Sequence, residues 1–274
     1  MDVEAFRDIS CLKKKPRVEY DAFRIEHEIG RYLELLDKYN IKCTLFVLCS
    51  ALEHAKEFLL SAVKGGHEIA LHGLTHEIPS SLDKDALKAQ FTAGKKLLED
   101  ELGTEVVGYR APCFAVTNEV IDALTELGFK YDSSYLDIKL SYTRSGADFG
   151  GYDRVCDGIY KKNGFYEIPP CKTKAFFGQM SVSGGGYIRL VPKTFLKRHV
   201  GKFIDTSDYY VFYCHPSDMF TESPPKLRGL SPKDRFFVEA GRKSFLSRTE
   251  DIIKMLIEKN YTFSTMRDFV MSEA

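Results

Sequence analysis

Short apolar runs alternate with stretches of helical periodicity along most of the chain. Ile25, Ile29 and Leu36 lie at helical spacing within residues 25–39, and the largely apolar segment 44–48 that follows predicts a buried strand. The same alternation predicts further helices over 51–63, 83–101, 118–127, 193–204 and 234–259, and further strands over 68–72, 106–109, 129–132, 166–169, 210–214 and 261–264. Apolar strands that alternate with helices are typical of an α/β protein with a parallel sheet, and about six or seven such units favour a barrel over an open sheet.

Two segments interrupt this alternation. Residues 138–165 are rich in glycine and are expected to form a long surface excursion, whereas the proline-rich residues 216–232 are expected to form a loop. No linker, repeat or low-complexity stretch divides the chain, and 274 residues fit one large α/β domain. We therefore expect a single domain over residues 1–274, with irregular excursions at these two segments.

Composition narrows the classes of function. Lys and Arg balance Asp and Glu at 39 each, so no basic excess indicates a nucleic-acid partner or an anionic membrane surface. Seven cysteines, with no two of them three positions apart, argue against a disulfide framework and indicate reduced thiols. Neither an apolar leader at the start nor a run of about 18 apolar residues is present, so we expect a cytoplasmic protein without a transmembrane segment.

Two histidines four positions apart, His72 and His76, follow the predicted strand 68–72. Neutral imidazoles suit Zn²⁺ and similar metals, and a catalytic site needs about three protein ligands and one open position. The alternative is two loop histidines with ordinary hydrogen bonds, because the spacing alone is a loose motif.

Asp2 and Glu4 are two carboxylates that lie on the same face if this part of the chain is a strand. One could complete a metal site while the other accepts a proton from water. The alternative is a solvated acidic terminus, since chain ends are commonly loose and polar.

Arg110 and His215 also follow predicted strands. Pro112 lies two residues after Arg110, and an arginine at this turn can hold a carboxylate in a bidentate pair or be an ordinary surface residue. His215 comes at the mouth of an apolar strand and before Pro216, where it can serve as a general acid or be satisfied by the local backbone. Residues 183–187, Ser-Gly-Gly-Gly-Tyr, could let a ligand approach the backbone closely.

With these pieces in order, the chain resembles the polysaccharide deacetylase family, also called the NodB-homology or carbohydrate esterase family 4 group. The resemblance runs from Asp2 to about Asp218 and is closest to an intracellular branch, associated with exopolysaccharide or capsule assembly, that carries Asp-Val-Glu. It rests on the acidic pair and HxxxH together with four further segments. These are Tyr-Arg-Ala-Pro at 109–112, Tyr-Asp-Ser-Ser at 131–134, Gly-Gly-Gly-Tyr at 184–187 and His-Pro at 215–216.

The resemblance implies a distorted (β/α)₇ barrel and a metal-dependent hydrolase that removes N-acetyl groups from an N-acetylated sugar of a polysaccharide or its precursor. It implies a divalent metal, with Zn²⁺ favoured, and a carbohydrate partner. The implied metal ligands are Glu4, His72 and His76. The implied catalytic residues are Asp2 as base, Arg110 as its partner, His215 as acid and Asp132 as a residue that tunes the site. The implied substrate-binding residues are Tyr109, Pro112, Gly185 and Tyr187.

Two departures from the family pattern lead to further expectations. Family members usually carry four or five strand residues before the first aspartate, whereas only Met1 precedes Asp2 here. We therefore expect Asp2 and Glu4 to be frayed and the metal site to be weakened. Glu4 is also one methylene longer than the usual aspartate, so the base and ligand roles of Asp2 and Glu4 could be exchanged.

Two other functions stay open at the level of sequence. One is hydrolysis of a small amide or cyclic imide, which related barrels with an Asp-Val-acid motif perform. The other is a catalytically inactive carbohydrate-binding barrel, which would hold no metal and release no acetate. The sequence gives neither the sugar nor the oligomeric state.

Overall fold

The computed structural model describes residues 1–5, 8, 25–136, 146–156, 158–175, 178–221 and 231–273. The strands are β1 (Asp2–Val3), β2 (Thr44–Leu48), β3 (Glu68–Gly73), β4 (Gly108–Tyr109), β5 (Tyr131–Asp132), β6 (Asp153–Cys156), β7 (Ile159–Lys162), β8 (Phe165–Glu167), β9 (Lys172–Ala175) and β10 (Gly178–Ser181). The helices are α1 (Ile25–Asp37), α2 (Leu52–Lys64), α3 (Lys84–Leu102), α4 (Asn118–Glu126), α5 (Gly185–Leu190), α6 (Lys193–Ile204), α7 (Pro232–Glu239), α8 (Phe245–Glu258) and α9 (Met266–Ser272).

One sheet forms the framework of the molecule, in the strand order β1-β2-β3-β4-β5-β8-β7-β6. β1 to β5 and β8 pair in parallel, while β7 pairs antiparallel with β8 and with β6. Residues 210–214 lie next to β1 on the side away from β2 and extend the barrel there. The Asp2 N–H donates to the Cys214 carbonyl at 2.8 Å. The Tyr213 N–H in turn donates to the Ser183 carbonyl at 2.9 Å. The fold is therefore the distorted (β/α)₇ barrel that the sequence predicts.

The core forms where the helices cover the strands. All five residues of β2 and all six of β3 are buried, as expected for central strands of a parallel sheet. α3 begins at the Asp83 cap, whose side chain accepts from the Ala86 N–H, and ends at Gly103 in the left-handed conformation. These helices hold the strands so that their carboxyl ends open on one face, where active sites of such barrels lie.

The predicted helix over 234–259 is wrong as a single element. α7 and α8 are separate helices, with a 3-10 turn at Arg242–Ser244 between them. The break is at Gly241, whose φ of 76° lies in the left-handed region that a helix interior does not use. Helical periodicity runs across this glycine, so the pattern of apolar residues alone did not reveal the break.

The excursion predicted over 138–165 is also only partly correct. Residues 153–162 of this segment form the antiparallel hairpin β6–β7, which extends the sheet, and residues 137–145 and 157 lie outside the described residues. In the predicted loop 216–232, Pro216–Asp218 form a 3-10 turn and α7 begins at Pro232, while residues 222–230 lie outside the described residues.

Two predicted strands do not form ladders. Residues 210–214 make a single parallel bridge, between Tyr213 and Gly184. The Val211 N–H donates to the Cys171 sulfur at 3.0 Å instead of to a neighbouring strand. Residues 261–264 have no strand assignment and lead directly into α9. No described helix has the length and apolar character needed to span a membrane.

Candidate metal centre and active site

Three buried side chains, Glu4, His72 and His76, converge at the carboxyl end of the barrel. Glu4 Oε2 lies 3.0 Å from His76 Nε2 and 3.4 Å from His72 Nε2. One ligand atom from each residue lies within 4.8 Å of the other two, and this is the one such group of three found among the described residues. Glu4 follows β1, His72 lies in β3, and His76 follows β3, so parallel pairing through β2 brings them together.

β1 is short but is hydrogen-bonded on both sides. On one side Met1 N donates to the Thr44 carbonyl and the Phe46 N–H donates to the Met1 carbonyl, both at 2.8 Å. On the other side Asp2 N–H is bonded to the segment 210–214. Asp2 is 1% exposed and Glu4 is 5% exposed. The expectation that these two residues are frayed is therefore wrong, because the neighbouring strands fix the backbone that carries them.

A backbone carbonyl sets the tautomer of His72. His72 Nδ1 lies 2.8 Å from the Arg110 carbonyl oxygen, which can only accept a hydrogen bond. Nδ1 therefore carries the proton, and in the neutral imidazole the Nε2 lone pair points towards Glu4. Metal-ligating histidines commonly donate their second ring N–H to a carbonyl or carboxylate in this way.

Asp2 lies beside the three ligand candidates but faces Arg110. Arg110 Nη1 donates to Asp2 Oδ1 at 2.7 Å, and both side chains are buried. Ser133 holds the rest of the guanidinium, with its carbonyl accepting from Nε at 3.0 Å and its hydroxyl accepting from Nη2 at 2.7 Å. The guanidinium also lies over the Phe46 ring, 4.1 Å from its centroid. The geometry therefore separates the two acids: Glu4 faces the histidines, and Asp2 faces the arginine.

Both acids are held in the ionised form. Burial by itself would raise the pKa of Asp2, but the nearby charges of Arg110 and His72 outweigh burial and lower the pKa. In the same way, hydrogen bonds from His72 and His76 outweigh the burial of Glu4 and lower its pKa. Both carboxyl groups are thus ionised at neutral pH.

His215 approaches the same space from the opposite side. Its Nε2 lies 3.7 Å from Asp2 Oδ2 and 3.9 Å from Glu4 Oε1, and its side chain is 27% exposed. Its Nδ1 donates to Asp218 Oδ2 at 3.1 Å, and Asp218 Oδ1 accepts from Arg189 Nε at 2.7 Å. Burial opposes protonation of the ring, but the Asp218 hydrogen bond and the Glu4 charge raise the pKa of His215 to about 9.

Asp218 and Arg189 were not identified from the sequence as site residues. Asp218 lies three residues after His215 and also accepts the His215 N–H at 2.9 Å, which is a reciprocal capping arrangement. Although burial raises the pKa of Asp218, hydrogen bonding to His215 and the Arg189 charge lower it to about 2. The spacing of an N-cap residue and an acid at its third helical position could have revealed Asp218. No comparable short-range signal points to Arg189.

Asp132 does not join the cluster. It is fully buried and faces Ser134 and Glu167, and Ser134 Oγ donates to Asp132 Oδ1 at 2.5 Å. Its predicted role at the site can only be exerted through these neighbours. Glu167, which the sequence analysis did not single out, is also fully buried. The signal available in the sequence was a charged residue at the end of the otherwise apolar strand β8.

The four residues predicted to bind substrate differ in accessibility. Tyr109 is fully buried with its ring against Phe91 and Phe129, so direct substrate binding by Tyr109 is contradicted. Pro112 and Gly185 are also buried, whereas Tyr187 is half-buried. The space next to the Gly185 Cα is filled by the Asp218 carboxylate, so the protein's own side chain explains the absence of a Cβ at this position.

The three ligand candidates fit a divalent metal. Ligand atoms bound at about 2.0–2.1 Å in a tetrahedral zinc site lie roughly 3.3 Å apart, which is close to the separations around Glu4 Oε2. Two imidazole nitrogens and one carboxylate oxygen form a three-ligand set of the kind that leaves a fourth position open.

Comparison with known proteins agrees with this geometry. Residues 20–131 match the model of the family described as polysaccharide deacetylase, a range that contains His72, His76 and Arg110. Residues 146–271 match a domain of unknown function, DUF3473. The sheet crosses the boundary between these two matches, because β5 pairs with β8.

Two curated relatives are deacetylases or similar to them. A peptidoglycan deacetylase of Helicobacter pylori is 31% identical over 133 residues, which are 48% of this chain and 45% of that protein. A peptidoglycan deacetylase-like protein of Gibberella zeae is 34% identical over 122 residues, covering 43% of this chain and 36% of that protein. The matches thus span less than half of the length of either relative.

The fold is shared with solved structures. A Mycobacterium smegmatis protein assigned as a polysaccharide deacetylase superposes with a TM-score of 0.59 at 21% identity, covering 89% of this chain and 76% of that one. Identity at this level supports the fold and not the reaction. The chain is therefore similar to the polysaccharide deacetylase family over residues 20–131, and its barrel is shared with a solved structure.

Proposed function

We propose that this protein is a metal-dependent deacetylase that hydrolyses the N-acetyl group of an N-acetylated sugar in a polysaccharide or its precursor. The observation that carries the proposal is the arrangement of Glu4, His72 and His76 around one point, with Asp2 and His215 on its two sides. The two curated relatives, described as a peptidoglycan deacetylase and a peptidoglycan deacetylase-like protein, support the reaction class. They do not identify the sugar.

Glu4, His72 and His76 would hold the metal. A divalent cation bound there supplies a Lewis acid that polarises the acetyl carbonyl and makes water a better nucleophile at neutral pH. His72 is held for this role by the Arg110 carbonyl, which keeps the Nε2 lone pair towards the site. We infer Zn²⁺ as the metal because imidazole and carboxylate ligands in a three-residue set suit it.

Asp2 would act as the general base. Its Oδ1 is held by Arg110, and its Oδ2 faces the space in front of His215, so one oxygen is fixed and the other can accept a proton from the attacking water. The lowered pKa of Asp2 keeps the carboxylate ionised at neutral pH. A positioned base of this kind contributes about 10²–10⁴-fold to the rate.

His215 would act as the general acid on the leaving amine. Because Nδ1 donates to Asp218, the second proton of the imidazolium is on Nε2, which faces Asp2 and Glu4. The raised pKa of His215 favours the imidazolium at neutral pH. An amine leaves poorly unless it is protonated, so an acid on the side opposite the base completes the reaction.

Further features of the proposal come from the sequence resemblance. We propose that the protein belongs to the intracellular branch associated with exopolysaccharide or capsule assembly, acts in the cytoplasm, and works as one domain over residues 1–274. A carbohydrate is the proposed partner. Tyr187, which is half-buried in α5, is the remaining candidate for substrate contact.

The test is acetate release from N-acetylglucosamine oligomers by the purified protein, loaded with Zn²⁺ or stripped with a chelator. The proposal predicts release by the loaded protein, loss after chelation, and recovery when Zn²⁺ is returned. A loaded protein that releases no acetate but opens cyclic imides would replace this function with the imide hydrolase. Binding of the oligomers without metal or turnover would instead support an inactive carbohydrate-binding barrel.

A further inference from the structure

Two buried carboxyl groups, those of Asp132 and Glu167, lie side by side behind the candidate site. The residues are directly opposite each other in the parallel pairing of β5 with β8, and both are 0% exposed. Neither carboxyl group has a basic side chain as its hydrogen-bond partner among the described residues. A pair of buried acids in this situation cannot carry two full negative charges at an acceptable free energy.

The pair is hydrogen-bonded to two turns. Glu167 Oε1 accepts the backbone N–H groups of Ser134 and Tyr135, at 3.1 Å and 2.8 Å. Asp132 Oδ1 accepts the Ser134 hydroxyl, whose oxygen in turn accepts the Ala111 N–H at 2.7 Å. The two carboxyl groups thereby connect the turn after β5 with the turn after β4.

A hydrogen bond between the two carboxyl groups would require a proton, because two carboxylates can only accept. Glu167 Oε2 is buried and has no hydrogen-bond partner among the described residues, so a proton on this oxygen would let it donate to the neighbouring Asp132. Burial and the neighbouring Asp132 charge raise the pKa of Glu167 well above its ordinary value. Burial also raises the pKa of Asp132, although hydrogen bonds from Glu167 and Ser134 oppose the increase.

We propose that Asp132 and Glu167 share one proton, carried by Glu167, and act as a positioning pair that fixes Arg110 and His72. The proposal rests on the proposed deacetylase function for its catalytic consequence. Neither residue touches the cluster of Glu4, His72 and His76, so neither is a catalytic residue.

The contacts between the pair and the site are short and continuous. Ser133, between Asp132 and Ser134, binds the Arg110 guanidinium through its carbonyl and hydroxyl. The Ser133 hydroxyl also donates to the carbonyl of Ile168, the residue after Glu167, at 2.6 Å. Arg110 then holds Asp2 with its side chain and His72 with its carbonyl. Displacing the turn 133–135 would therefore move both the base and a metal ligand.

The electrostatic surroundings favour retention of the shared proton through the neutral range. Arg110 is the positive charge coupled to Asp132 and favours its ionised form. The other titratable groups coupled to the pair are the phenols of Tyr109 and Tyr152. Burial raises both pKa values, with a smaller contribution from Asp132 for Tyr109 and from Asp122 and then Glu167 for Tyr152. These phenols stay neutral at neutral pH. Because the protonated Glu167 is also neutral, a neutral amide in its place should leave the pH profile of turnover unchanged.

The first experiment compares Glu167→Gln with Glu167→Leu. Glutamine can accept from Ser134 and Tyr135 and donate to Asp132, so we expect kcat within about threefold of wild type and an unchanged pH profile. Leucine removes these bonds, and we expect kcat and Zn²⁺ affinity to fall by about 10–100-fold, as is usual for residues that orient metal ligands. Glu68→Gln is the matched control, because Glu68 is a buried glutamate that lies in β3 at the other end of the barrel. It should leave kcat unchanged.

The second experiment locates the proton without turnover. Infrared difference spectra of the metal-free protein at neutral pH should show a protonated carboxylic acid in wild type and in Glu68→Gln, and Glu167→Gln should lack it. A band that persists unchanged in Glu167→Gln, or a Gln variant as impaired as the Leu variant while its thermal unfolding matches wild type, overturns the proposal. If wild type releases no acetate, the deacetylase function fails, whereas the infrared and Zn²⁺-affinity measurements still decide the role of the pair.

Discussion

The roles proposed for Asp2 and Glu4 differ because each side chain meets a different neighbour. Side chains two positions apart in a strand share a face, so the sequence left the two roles interchangeable. In the structure, Glu4 Oε2 lies 3.0 Å from His76 Nε2 while Asp2 Oδ1 lies 2.7 Å from Arg110 Nη1. The extra methylene of glutamate lets Glu4 reach the two histidines from a position further along the chain.

This separation predicts different outcomes for two conservative changes. Asp2→Asn should keep the metal and lose about 10²–10⁴-fold in kcat, because a positioned base is removed. Glu4→Gln should lose most of the bound metal, because a charged ligand becomes neutral. Elemental analysis together with acetate release measures both effects. Loss of metal from Asp2→Asn with retention by Glu4→Gln would exchange the two roles.

Asp218 gives a prediction for stability against pH. Its folded pKa of about 2 is below the ordinary value of 3.8, so it stabilises the fold above about pH 4, and this contribution is lost as pH falls towards 2. The shift corresponds to about 2 kcal/mol for this buried group. Asp218→Asn should therefore lower the free energy of unfolding at pH 7, with the difference from wild type shrinking as pH falls below 4.

Urea unfolding at several pH values measures this difference. Lys96 and Asp100 form an exposed ion pair, so Asp100→Asn is a suitable control that should change stability by much less. A difference between wild type and Asp218→Asn that is the same at pH 3.5 and pH 7 would contradict the assigned charge state.

At the scale of elements, the close packing of β4 against β5 limits the size of the side chain at position 108. A Cβ on Gly108 would collide with the Tyr131 ring, which is fully buried and whose hydroxyl donates to Glu68 at 2.8 Å. We expect Gly108→Ala to destabilise the fold by about 1–3 kcal/mol through overpacking. Thermal unfolding measures the change.

Gly186 is the matched control for this substitution. It lies in α5, and a Cβ there would meet no atom within 4 Å. Since alanine is favoured over glycine in helices, Gly186→Ala should leave stability unchanged or raise it slightly. Equal destabilisation by both changes would show that the contact with Tyr131 is not the cause.

A strand or helix can be predicted from the sequence when residues close to it in the chain determine it. β2 was predicted with its observed bounds because four apolar residues in a row after Thr44 can be recognised without a partner strand, and the Asp83 cap marked the start of α3. Residues 210–214 have the same apolar character but form no ladder, since β1 beside them is only two residues long. The hairpin β6–β7 was missed because its glycines suggested a loop.

The candidate site could likewise be predicted only where residues close in sequence determine it. Residues at strand ends, such as His72, Arg110 and His215, could be predicted because strand position implies a shared edge. The partners that orient them, Arg189 and Glu167, depend on tertiary contacts between segments far apart in sequence. Tyr109 was misassigned for a related reason, because an aromatic residue next to Arg110 gives no sign of which side of the strand it occupies.

At the scale of the whole molecule, the metal would connect distant parts of the chain. Glu4 is near the start, and His72 and His76 follow β3, so a bound cation stabilises the folded state over an unfolded chain that cannot assemble the site. At a free Zn²⁺ concentration about 100 times Kd, the gain is about 2.7 kcal/mol. Thermal unfolding of the apo protein should shift upwards with Zn²⁺, whereas His76→Ala should show no shift.

The hydrogen bond from Asp2 N–H to the Cys214 carbonyl has a kinetic consequence. The opening motion that frees this amide to exchange with solvent deuterium must also carry Glu4 away from the two histidines, because only Val3 separates them. Amide exchange at Asp2 and at Phe46, whose N–H donates to Met1, should therefore slow when a cation is bound, while exchange within β4 should not. The lifetime of the bound cation would then be limited by how often the first strand opens.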